Sequence, residues 1–147
     1  MAYLTNLDIE QRLGHAACVQ LADDDGDGQP DAGVVDEARL GAEGELNSYL
    51  ARRYEVPIDL GRHPDVGDLL KTVALDLAEY RLRLRRPPMP DDAAARRQRT
   101  TAWLERVADG RVSLPASIPI AASSSRGTVA TVTGATRRLS DKELESF

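Results

Sequence analysis

Residues 64–88 read PDVGDLLKTVALDLAEYRLRLRRPP, and their spacing decides what kind of fold this chain adopts. Val66, Leu69, Leu70, Val73, Ala74, Leu77, Ala78 and Tyr80 recur at intervals of three and four, which draws one apolar stripe along a helix about five turns long. Pro64 suits the first position of that helix, where a missing N–H costs nothing. The helix must end before Pro87 and Pro88, because a proline ring clashes with the preceding turn. The stripe is therefore the expected centre of a core.

Helical patterns continue on both sides. Upstream, VVDEARLGAEGELNSYLARRY (34–54) puts Val34, Val35, Ala38, Ala42, Leu46, Tyr49 and Leu50 on one face, with Asp31 placed to cap the start and Pro57 to end the element. Gly41 and Gly44 each weaken this helix by about 1 kcal/mol relative to Ala, a cost that makes sense if another backbone passes close by. Thr5 and Asp8 form a capping-box pattern with Asp in place of Glu, so a short helix is expected from near Asn6 to Gly14, with a second over His15 to Ala22. Downstream, Asp91 is placed to cap a helix running to Ala108, with Ala94, Ala95, Trp103, Leu104 and Val107 facing the core and Gly110 closing it.

These elements predict an all-α protein, a small helical bundle with a long central helix pair over residues 1–112. Residues 113–147 are rich in Ser, Thr, Pro and Gly and lack helical periodicity until their end, so they are expected to form an extended, mobile arm that orders on assembly. Within it TVATVT (128–133) alternates as a strand that needs a partner edge, or serves as linker, while Ser140 and Glu143 suit a terminal helical turn.

A chain of 147 residues supports one core, and with aromatics at 4% that core must be built from Leu, Val, Ile and Ala. The start lacks the basic and apolar regions of a signal peptide, and no stretch approaches the ~20 apolar residues of a membrane span, so a soluble cytosolic protein is expected. The single cysteine, Cys18, excludes an internal disulfide and sits in HAACVQL as a buried small hydrophobe would. The net charge of -5 is unevenly spread: residues 1–47 carry only Arg12 and Arg39 as cations, whereas Arg81, Arg83, Arg85, Arg86, Arg96, Arg97, Arg99, Arg106 and Arg111 fill 81–111. Such polarity suits head-to-tail contacts between copies. Solvated helix faces account for the same charges without any specific role.

The stretch LADDDGDGQPDAG (21–33) matches much of a helix-loop-helix calcium site, with Asp23, Asp25, Asp27, Gln29 and Asp31 at alternate ligand positions and Gly28 at the bend. Position twelve is Val34 where such a loop has a bidentate Glu, so Asp36, Glu37 or water would have to complete the shell. The plainer reading is a tight turn built on Asp-Gly pairs, with Asp31 capping the next helix and the other carboxylates facing water.

Catalytic patterns are lacking. The two histidines, His15 and His63, adjoin no nucleophile, and there is no phosphate-binding glycine loop and no zinc spacing, so no enzyme is expected. The run RLRLRRPP (81–88) offers guanidiniums to phosphates, but a helix dipole and apolar surface under the Arg stems explain it better, and specific DNA binding is not expected of an acidic chain.

Taken in order, MAYLTNLDIEQRLG, DDDGDGQPDAGVVDEA, ELNSYLARRYEVPI and LLKTVALDLAEYRLRLRRPP resemble the Mu-like prophage neck protein family over residues 1 to about 115, and RRLSDKELESF resembles its usual ending. The insertion ASIPIAASSSRGTVATVTG departs from that pattern. The resemblance implies a head-tail connector, also called a neck or head completion adaptor, of a tailed phage or prophage. Such a subunit forms a ring, expected to be twelve-fold, below the portal; it extends the DNA channel and docks the tail. Implied partners are other copies, the portal, a tail or tail-terminator protein, and DNA passing through the lumen without sequence-specific binding; neither a membrane nor a required cofactor is implied. Its place would be the virion neck, reached from the cytoplasm of the bacterial host during assembly. On this reading Arg81, Arg83, Arg85, Arg86, Arg96 and Arg97 serve the subunit interface, and Arg137, Arg138, Leu139, Leu144 and Phe147 dock a partner. The alternative is a calcium-binding helix-loop-helix interaction module built on the aspartate loop.

Overall fold

A computed structural model describes residues 2–115. The strand and terminal turn expected within 116–147, the expected mobility of that arm, and the docking residues Arg137, Arg138, Leu139, Leu144 and Phe147 lie outside the described residues. Among the described residues the order is α1 (Asn6–Leu13), α2 (His15–Ala22), α3 (Ala32–Leu50), a 3-10 turn (Pro64–Val66), α4 (Gly67–Leu84) and α5 (Asp91–Ala108). The all-α expectation holds: α3 and α4 form the central pair, α5 packs on both, and α1 closes over them beside α2.

The helix ends show which local signals operate. Thr5 Oγ1 accepts the Asp8 N–H at 3.3 Å while Asp8 Oδ2 accepts the Thr5 N–H at 2.8 Å, so Asp performs the capping-box role usually given to Glu. Gly14, at φ +82°, turns the chain from α1 directly into α2. At the end of α5, Gly110 has φ +79° and its N–H bonds the Val107 carbonyl while Arg111 N–H bonds Arg106, the paired bonds of a Schellman closure.

Two expected caps differ from the structure. Asp31 occupies the N-cap of α3, but its side chain turns back into the preceding loop to accept the Asp24 N–H at 2.8 Å, leaving its backbone carbonyl to receive Val34 and Val35. At α5 the N-cap is Pro90, and Asp91 and Asp92 sit in the first turn, where their charges favour the positive end of the helix dipole. Pro64 likewise opens the 3-10 turn, so α4 itself begins at Gly67.

The core follows the stripes read from sequence, corrected in phase. Leu46 and Leu50 of α3 and Leu70, Leu77 and Leu82 of α4 are fully buried, each contributing roughly 1.5–3 kcal/mol through removal from water. Leu69, expected inside, is 43% exposed, and Leu82, hidden among arginines in the sequence, takes the inner position. In α5 the buried set is Ala93, Thr100, Leu104, Val107 and Ala108; Ala94 and Ala95 face outward and Trp103 is half-buried. Alanines carry too little apolar area to set the phase of a helix, and Leu104 with Val107 sets it instead.

The glycines of α3 were expected to admit a backbone. A Cβ at Gly41 would instead lie 2.9 Å from Arg81 Nη1, so the neighbour is a side chain, and a Cβ at Gly44 would meet nothing within 4 Å. Two tyrosines tie the loops to this frame. Tyr3 Oη donates to Asn47 Oδ1 at 2.7 Å and accepts the Ile58 N–H at 2.9 Å, while Tyr54 Oη accepts the N–H of buried Leu114 at 2.8 Å. The core thus runs past the expected boundary at 112. No helix among the described residues is long and apolar enough to cross a membrane.

Candidate functional site

The arginine run is built by helix geometry. Successive residues of α4 turn by about 100°, so burying Leu82 fans Arg81, Arg83, Arg85 and Arg86 around the exposed rim of the helix end. Each finds a partner within the chain. Arg81 reaches Glu45 of α3 at 3.1 Å, and Arg97 of α5, lying over the Tyr80 ring, also bonds Glu45. Arg85 donates to the Leu21 carbonyl and to Asp24 at 2.5 Å; Arg86 donates to the Asp23 carbonyl and lies 3.3 Å from Asp24. The two guanidiniums therefore satisfy carbonyls left open where α2 ends. The hydrogen bond from Arg85, aided by the charge of both arginines, holds the Asp24 carboxyl below the usual range.

Arg83 and Arg96 converge on a residue the sequence reading passed over. Glu79 is 4% exposed and accepts from Arg83 and Arg96, each at 2.8 Å, with Arg12 of α1 at 3.7 Å. Arg12 also bonds Asp76 at 2.7 Å, and Asp76 accepts the Thr100 hydroxyl at 3.0 Å. One buried carboxylate thus joins α1, α4 and α5 through three cations. The available signal was the Glu79–Arg83 spacing of four, which by itself reads as an ordinary surface pair.

The aspartate loop closes on itself. Asp23 Oδ1 accepts the Gly26 N–H at 2.6 Å and its Oδ2 accepts Gly28 at 3.0 Å, while Asp25 and Asp27 accept the N–H groups of Asp27 and Gln29. Gly26 and Gly28, at φ +80° and +82°, give the backbone the left-handed turns these bonds require. Of the five residues read as metal ligands, Asp23, Asp25 and Asp27 bring carboxylate oxygens within 4.8 Å of one another. Gln29 borders a shallow pocket by Cys18 and Val35, and Asp31 is held by the Asp24 N–H. Asp36, considered for completing the shell, is bonded by Asn6 and Arg39. Asp25 accepts the Asp27 N–H, which lowers its pKa, yet burial and the charges of Asp27, Asp31 and Asp23 leave it raised overall.

The remaining reactive groups stand apart. Burial and then the charge of Glu10 push the Cys18 thiol up, against the thiolate form. His15 Nδ1 lies 2.6 Å from Glu10, and His63 borders a shallow pocket with Glu55, Asp59 and Arg62.

Against known proteins, the chain is 33% identical over 85 residues to "Gene product J" of Escherichia phage Mu, a stretch covering 58% of this chain and 55% of that protein. The chain spans about half the length of this curated relative. The family described as "Bacteriophage Mu, Gp36" matches residues 3–132. Since the match takes in α1 through α5, with the capping box, the aspartate loop and the arginine-rich end of α4, the chain belongs to the Bacteriophage Mu Gp36 family and is a Mu-like phage protein.

Proposed function

We propose that this chain is a head-tail connector subunit, a neck adaptor that assembles as a ring below the portal of a Mu-like phage or prophage. The observation that carries the reading is membership in the Mu Gp36 family across all five helices and beyond them. Charge placement supports it: acids dominate up to residue 47 and arginines crowd α4 and α5, a polarity that favours pairing of identical subunits in one sense. The role is mechanical and calls for no catalytic group and no cofactor. On this reading the ring extends the DNA channel without reading sequence, meets the portal on one side and a tail or tail-terminator protein on the other, and uses Arg137, Arg138, Leu139, Leu144 and Phe147 for docking.

The six arginines expected at the subunit interface all bond acids of their own chain. What they offer a neighbour is surplus charge, since Arg81 and Arg97 share Glu45 while Arg85 and Arg86 share Asp24.

Deleting the gene from an inducible Mu-like prophage tests the role. Electron micrographs of the lysate are expected to show heads and tails apart, with joined particles restored by the gene supplied in trans. Joined, infectious particles from the deletion strain would end the proposal.

A further inference from the structure

A groove runs between the start of α3 and the end of α4, lined by Val34, Glu37, Ala38, Arg81, Leu84 and Arg85. Leu84 on its wall is 55% exposed, a large apolar side chain next to half-buried Val34 and with no role in the core. Charge flanks the groove on both sides. One flank is the aspartate loop, where Asp24 alone has an ion-pair partner among the described residues and Asp25 and Asp27 are exposed. The other is Arg81, which shares Glu45 with Arg97, while Glu37 adds a carboxylate to the lining itself.

We propose that the groove is the docking site of residues 137–147 of the same chain, RRLSDKELESF. The segment runs from cations to a net acidic end: Arg137 and Arg138 first, then Leu139 and Leu144 among the acids Asp141, Glu143 and Glu145, with Lys142 offsetting one of the three. In this placement its arginines would face the loop aspartates and Glu37, its leucines would cover Leu84 and Val34, and its acids would meet Arg81. Reach permits this within one chain. Leu114 is tied to Tyr54 just beyond α3, roughly 25 Å along the helix axis from Ala38, whereas the intervening chain to Leu139 spans at most about 90 Å. Tethering makes the encounter intramolecular, which favours it over pairing between free copies at micromolar concentration. Docked this way, the segment covers the apolar patch in the free subunit and has to leave it before Arg137, Arg138, Leu139, Leu144 and Phe147 can meet a partner in the assembly.

The full chain carrying photoreactive p-benzoylphenylalanine in place of Leu144 tests the assignment, using an equal mixture of isotope-labelled and unlabelled protein. Crosslinks are expected to peptides containing residues 34–38 and 81–85, with both halves of each crosslink from one isotope. Leu84→Asp and, separately, Arg81→Glu are expected to cut the yield roughly tenfold, while the melting temperature shows that the helical body stays folded. Crosslinks elsewhere, crosslinks joining the two isotopes, or yields indifferent to both substitutions would overturn the proposal. None of these outcomes bears on the neck role, which is read from particles in a lysate.

Discussion

Glu79 and the aspartates of residues 23–31 are both acidic, but they do opposite work because one is buried and the others are not. Glu79 lies under α1 and α5 with three arginines within 3.7 Å, so its charge is balanced and the helices carrying the cations are held to it. The loop aspartates face water and bond backbone N–H groups a few residues away, which shapes a turn and binds no distant element except through Asp24. An acid can join distant parts of a chain when water is excluded around it; where water competes, it organises only its neighbours.

The largest test of that contrast removes one carboxylate from each region. Glu79→Ala removes the acid that Arg83 bonds and one of the two that Arg12 and Arg96 each meet, all three guanidiniums being partly buried, and is expected to cost about 2–3 kcal/mol in urea unfolding, whereas Asp27→Ala is expected to stay within about 0.5 kcal/mol. Equal losses would erase the distinction. A second test compares ionic with neutral anchoring of the frame: Tyr3→Phe leaves the buried Ile58 N–H without its acceptor and is expected to cost about 1–3 kcal/mol by the same measurement.

Smaller effects separate the two glycines of α3. Gly44→Ala enters open space and is expected to stabilise the chain by about 0.5–1 kcal/mol. Gly41→Ala should gain less, since its Cβ displaces the Arg81 guanidinium from Glu45. Acid titration probes the charges in turn. Asp8, lowered chiefly by its bond to Lys71, and Asp24, lowered chiefly by Arg85, contribute stability that is fully present above the ordinary carboxyl value of 3.8 and lost as pH falls through their depressed values. Asp25 is raised, so its charge opposes folding at neutral pH and protonation relieves it. Thermal melts should therefore fall as pH drops below about 4, and Asp25→Asn should melt no lower than the parent at neutral pH. Calcium gives the smallest expected response. At millimolar calcium a stabilisation below about 0.5 kcal/mol fits a self-closed turn, while a gain of about 2.7 kcal/mol would reveal a site in the 10 µM range and favour the calcium reading.

Much of the scaffold was legible from residue order, because its signals are local. The Thr5–Asp8 box, the stop at Gly14, the Gly110 closure and the stripes of α3 and α4 depend on contacts within one or two turns, and the structure keeps them. The errors fall where local rules lacked leverage. Alanines alone could not phase α5, and an arginine run concealed Leu82.

What residue order determined by itself is the helical class, the order of the elements and an uneven distribution of charge. Only the tertiary structure decided that Glu79 is a core residue, that Arg81 rather than a backbone crosses Gly41, and that the arginines of α4 pair with Glu45, Asp24 and Glu79. The physical reason is range. Helix periodicity and capping act between near neighbours, but the cost of a buried charge depends on which distant side chains arrive beside it.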